Sequence, residues 1–67
     1  MNKVDAHWLK RTLGEYFEDK MPEELLEMEH TIMEILNIEN SRECEKKLIS
    51  LLSHDKFKLV GLLVKNR

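Results

Sequence analysis

Glu27-Met28-Glu29-His30 places a carboxylate and an imidazole three residues apart, the spacing that sets two metal ligands on one helix face in di-iron bundles. Such a centre needs a second Glu-x-x-His and further inward carboxylates, and the chain carries no second copy of the motif. On a helical wheel Glu27, His30 and Glu34 also fall opposite the stripe Leu25, Met28, Ile32 and Ile35, so they are expected to face water. Cys44 with His7, His30 and His54 is the other set of soft ligands, and no two of the four stand at a short paired spacing. Cys44 falls on the apolar side of its stretch, where a cysteine acts as a small hydrophobe. A nucleophilic thiol would need an exposed, electropositive setting and a neighbouring base. Gly14 and Gly61 stand far apart, whereas a phosphate-binding loop needs several glycines between a strand and a helix. These residues therefore assign no catalytic group, no metal and no cofactor.

Binding chemistry is the remaining class. The formal charge is −2 over 67 residues, but it divides into +2 over residues 1–14, −9 over 15–45 and +5 over 46–67. A middle so acidic argues against a general nucleic-acid binder, which needs a net basic footprint. The basic last third leaves one local alternative, phosphate contacts from Lys56, Lys58, Lys65 and Arg67, with Trp8 beside them. Trp8 and Tyr16 could stack on bases, although packing against a small core is the stronger reading. Glu23, Glu27 and Glu34 form an acidic face that is expected to be solvated.

The elements that carry these residues read as helices throughout. Asp5 suits an N-cap, and the first helix is expected from about Asp5 to Glu18. It has Ala6, Leu9, Leu13, Tyr16 and Phe17 on one face and Trp8 on its flank. Pro22 suits a first helical position, with Glu23 and Glu24 set against the helix dipole. This second helix should end near Asn37 and carry the stripe Leu25, Met28, Ile32, Ile35 and Leu36, with Leu26 and Met33 at its edge. Asn40-x-x-Glu43 has capping-box spacing and opens a third helix with Cys44, Leu48, Leu51 and Leu52 inward. Arg42, Lys46 and Ser50 face away from it. Asp55 is expected to cap a fourth helix from Lys56 to about Asn66.

That last helix contains Phe57–Val64, FKLVGLLV, which is apolar nearly all round and therefore central or covered by a partner. Phe57, Val60 and Val64 flank Gly61 and are expected in the core, with Gly61 letting another helix approach closely. Leu59, Leu62 and Leu63 lie about half a turn away, as the second side of a central helix or as a docking surface. Together with Trp8 they are the candidate protein-contact residues. A lone cysteine excludes an internal disulfide and fits a reducing compartment. No apolar run approaches the roughly 18 residues of a membrane span, and the N-terminus lacks a signal-peptide core. One soluble, intracellular, monomeric all-α domain over residues 1–67 is expected, a compact four-helix bundle.

Arg42-Glu43-Cys44-Glu45, followed by Leu48, Leu51-Leu52, Phe57, Leu63 and Arg67, resembles a segment near the N-terminus of the large spliceosomal Ski-two-like DExH RNA helicases. Asp5-Ala6, Trp8-Leu9, Arg11, Leu13, Tyr16, Asp19 and Glu34-Ile35-Leu36 follow the same pattern, so the resemblance covers almost the whole chain. It implies a PWI-like domain, a small helical fold ahead of two helicase cassettes, and a nuclear protein acting in pre-mRNA splicing. The chain would then be a fragment of a larger ATP-dependent RNA helicase. It would act as a non-catalytic interaction and regulatory module toward the helicase cassettes of that parent or other spliceosomal proteins. The alternative remains a small RNA-binding helical domain using the basic last third. The Pro-Trp-Ile tripeptide is absent, since Trp8 stands between His7 and Leu9. The pattern also implies glycine at Ser53, an aromatic residue at His54 and a charged one at Val64.

Overall fold

In the computed structural model, which describes residues 4–66, Asp5 lies in extended backbone and its carboxylate accepts the Trp8 N–H at 2.8 Å. That bond fills one of the donors a helix start leaves free, and α1 follows over Ala6–Tyr16. Helix α2 spans Pro22–Ile35. Proline stands at its first position, and the Glu24 carboxylate accepts the Met21 N–H at 3.0 Å. Met21 has no oxygen to return the bond, so only half of a capping box is made. Asn40 caps α3, Ser41–Leu52, by accepting the Glu43 N–H at 2.9 Å.

The fourth helix begins differently from the expectation. A single 3-10 turn, His54–Lys56, precedes α4, Phe57–Lys65. The residue before α4 is Lys56, with no side-chain cap bond. Asp55 does not cap α4 because the extra turn carries its carboxylate back to the Ser53 hydroxyl, which donates to it. That hydroxyl, then the Asp55 backbone N–H, then the Lys56 ammonium hold the exposed Asp55 carboxyl below its ordinary range.

One buried cluster joins all four helices: Leu9 and Leu13 from α1, Ile32 and Ile35 from α2, Cys44, Leu48 and Leu52 from α3, and Leu59, Val60 and Leu63 from α4. Helix α1 packs on α2, α2 on α3, and α3 on α4. The radius of gyration is 11.0 Å, matching the roughly 11 Å of a compact chain of this length. The described residues contain helices and no strand, as expected for an all-α fold.

Three inward faces are turned from their expected positions. On α1, Ala6 is exposed and Tyr16 is 37% exposed, while Thr12 is buried; Trp8 packs partly buried against the cluster, as its flank position implied. Tyr16 is the last residue of the helix. On α3, Leu51 is 38% exposed and Ile49 packs on the core instead, because α3 must serve both α2 and α4. On α2, Glu29 is buried beside Ile32 and Ile35. At 100° per residue it falls about 40° from Leu25, inside the apolar stripe.

Helix α3 ends at Ser53, the only non-glycine residue with positive φ among those described, at φ 80° and ψ 163°. This region is essentially reserved for glycine and costs a side chain about 1–3 kcal/mol. The family pattern implies glycine at this position. Replacing Ser53 by glycine removes the clash and loses only an exposed hydrogen bond to Asp55. Ser53→Gly is expected to stabilise the chain by about 1 kcal/mol, raising Tm by roughly 4–8 °C for a domain of this size. Thermal unfolding followed by circular dichroism checks this.

Candidate interaction surface

Nine residues make α4, and the structure divides them into two arcs. Leu59 and Leu63 are fully buried and Val60 is 2% exposed, with Val64 packed partly buried at the edge of the same arc. On the opposite arc Phe57, Lys58, Gly61 and Lys65 are exposed, and Leu62 is half-buried between the two. Helix α4 is therefore an outer helix seated on α3 and the 3-10 turn, not a central one.

This arrangement corrects two expectations and decides a third that was open. Phe57, expected in the core, is 64% exposed. It opens the helix just past the edge of the arc occupied by Leu59, Val60 and Leu63, and Val64 fills the edge position in its place. Leu59 and Leu63, open between a core side and a partner contact, belong to the core and are out of reach in the folded chain; of that group only Leu62 reaches the surface. Gly61 admits no close neighbour, because a Cβ built on it meets nothing within 4 Å.

Trp8, the fourth candidate contact residue, packs partly buried against the core from α1. The basic candidates also separate. The Lys56 side chain is 25% exposed, 3.8 Å from the Asp55 carboxylate. Its ammonium stands 5.2 Å from the centre of the Phe17 ring, with Lys20 at 5.9 Å from the same ring, distances at which a cation is drawn to an aromatic face. Lys58 and Lys65 share the exposed arc of α4. Arg67 lies outside the described residues.

The ligand-type residues are dispersed. His7, His30 and His54 are exposed while Cys44 is fully buried. Among the described residues no group of three or more His, Cys, Asp and Glu could hold a metal ion. Glu27, His30 and Glu34 face solvent as their wheel positions imply. A cleft of about 400 Å³ lies between α1 and α2, lined by Lys10, Pro22, Glu23, Leu25 and Leu26. Glu29 lines a smaller depression beside it. None of the described helices is long and apolar enough to cross a membrane.

The two arcs of α4 give opposite mutational outcomes. Leu63→Glu puts an unpaired carboxylate at a fully buried position and is expected to abolish the cooperative unfolding transition. Phe57→Ala, at an exposed site, is expected to change stability by no more than about 0.5 kcal/mol. Chemical denaturation of both variants separates core from surface.

Comparison with known proteins shows the family. The whole chain, residues 1–67, matches the model of the N-terminal helicase PWI domain. It is 37% identical over 65 residues to the DExH-box ATP-dependent RNA helicase DExH13 of Arabidopsis thaliana, covering 96% of this chain and 3% of that protein. It is 34% identical over 64 residues to the U5 small nuclear ribonucleoprotein 200 kDa helicase of Caenorhabditis elegans, again 96% of this chain and 3% of the relative. An activating signal cointegrator 1 complex subunit 3-like protein of Dictyostelium discoideum is 30% identical over 67 residues, 98% of this chain and 3% of that protein. The chain thus spans a small fraction of the helicases it matches, and no solved structure matches it. A four-helix fold and a full-length match agree with the resemblance carried by Arg42-Glu43-Cys44-Glu45 and the residues around it: this chain belongs to the N-terminal helicase PWI domain family.

Proposed function

We propose that this chain is a non-catalytic protein-interaction and regulatory module of a spliceosomal ATP-dependent RNA helicase acting in pre-mRNA splicing in the nucleus. The observation that carries this reading is the family match over residues 1–67, set against relatives of which the matched segment is about 3%. A segment so small beside its helicase relatives acts through contacts with the cassettes of the parent chain or with another spliceosomal protein. By favouring one arrangement of the helicase over another, such a contact biases it between restrained and active states. A bias of this kind requires differential contact with the two states.

The test compares the parent helicase with and without residues 4–66. ATP turnover is expected to persist, while the unwinding rate changes by roughly fivefold or more, the effect of a coupling free energy of about 1 kcal/mol. The isolated chain is expected to hydrolyse no ATP. Unchanged unwinding after the deletion would remove the regulatory reading.

Lys58 and Lys65 on one exposed arc favour the second reading, a small RNA-binding domain. Two phosphate contacts would give a salt slope of only about −2 on duplex RNA. Titration with single- and double-stranded RNA at low salt is expected to show no shift; a salt-sensitive shift would favour the RNA reading over ours.

A further inference from the structure

Helix α4 carries two features that its own fold does not use. Phe57 has the largest exposure among the big apolar side chains described, at 64%. One turn further along the same arc stands Gly61, in the interior of an exposed helix and with open space around its missing side chain. Glycine at such a position lowers helix stability relative to alanine, and neither a positive φ nor a crowded neighbour requires it here. A ring beside a bare stretch of helix backbone makes a ridge and a notch. A second helix can seat a side chain in that notch and lie against the ring, since a small residue brings two helix axes close. Leu62 extends the apolar strip on one side, and Lys58 and Lys65 stand within it. Asp55 is the single acidic residue in 46–67, a segment of net charge +5, and its carboxylate already faces Ser53 and Lys56.

We propose that Phe57, Lys58, Gly61, Leu62 and Lys65 form a docking face for one amphipathic helix of a partner protein, with an apolar stripe flanked by Glu and Asp. The inference rests on the protein-contact reading above and assigns it a surface. The complement to an apolar strip bearing two ammonium groups is an apolar stripe edged with carboxylates, and opposed charges steer and register such a contact. A second copy is the poorer occupant. Its acidic α2, with Leu26 exposed between Glu23 and Glu27, would meet α4 in a heterologous contact, which closes into a ring only at special rotations and otherwise continues as an open chain.

The isotope-labelled 67-residue chain is titrated with three probes and followed by amide chemical shifts. They are a helical peptide whose leucine stripe is flanked by glutamates, the same stripe flanked by lysines, and a uridine-rich single-stranded RNA. The expected result is that only the glutamate-flanked peptide shifts the Phe57, Lys58, Gly61, Leu62 and Lys65 amides. Phe57→Ala and the double change Lys58→Glu with Lys65→Glu should each weaken that binding by about tenfold or more without lowering Tm. Gly61→Ala should raise Tm yet weaken binding, a pair of opposite signs that a purely structural glycine would not give. Shifts centred on the α1–α2 cleft at Lys10 and Leu26, equal response to both peptides, a response to RNA at α4, concentration-dependent α4 shifts without peptide, or no shift at all would each overturn the proposal. These outcomes concern the surface; the deletion in the parent helicase tests the protein-contact reading separately.

Discussion

Each of the four helices is 9 to 14 residues long, and isolated helices below about 12–15 residues are marginal in water. Their persistence therefore depends on one shared cluster in which each contributes two or three fully or nearly fully buried side chains. Helix α4 shows the dependence most clearly. Leu59, Val60 and Leu63 join Cys44, Leu48 and Leu52 of α3 in that cluster, and this contact decides which side of an almost uniformly apolar helix is inside. The buried thiol of Cys44 is part of the same packing, as its place on the apolar side of α3 implied.

The link between α3 and α4 is where the backbone bears strain. Ser53 adopts a glycine-like conformation, the 3-10 turn follows, and the Ser53 hydroxyl bonds to Asp55 across it. Helix α4 then packs on α3. That packing leaves Phe57, Lys58, Gly61 and Lys65 outside. Core and surface of this helix are two consequences of one contact.

Exposed imidazoles lie apart from the buried thiol, and the Glu-x-x-His pair faces solvent on α2. What the folded chain offers in their place is shape and charge: an acidic middle, a basic last third, and an outer helix with an uncovered apolar strip. They belong to a domain that spans about 3% of the helicases it matches.

Helix starts were legible in the chain itself, because a cap is a contact between a side chain and a backbone N–H three residues away. Asp5, Pro22 and Asn40 mark the starts of α1, α2 and α3 without reference to anything distant. Family membership was legible for a similar reason, since a linear pattern of residues carries it. The last turn was less legible, because the 3-10 segment that diverts Asp55 depends on how α4 seats on α3. Glu29 could have been found from its wheel position inside the α2 stripe; its charge masked that signal. Phe57, Gly61 and the leucines of α4 were not decidable in this way. Periodicity orients a helix only when one face is polar, and here apolar residues occupy both. Only the position of α3 chose the arc of Leu59, Val60 and Leu63 for the core, and by that choice left Phe57 and Gly61 facing out.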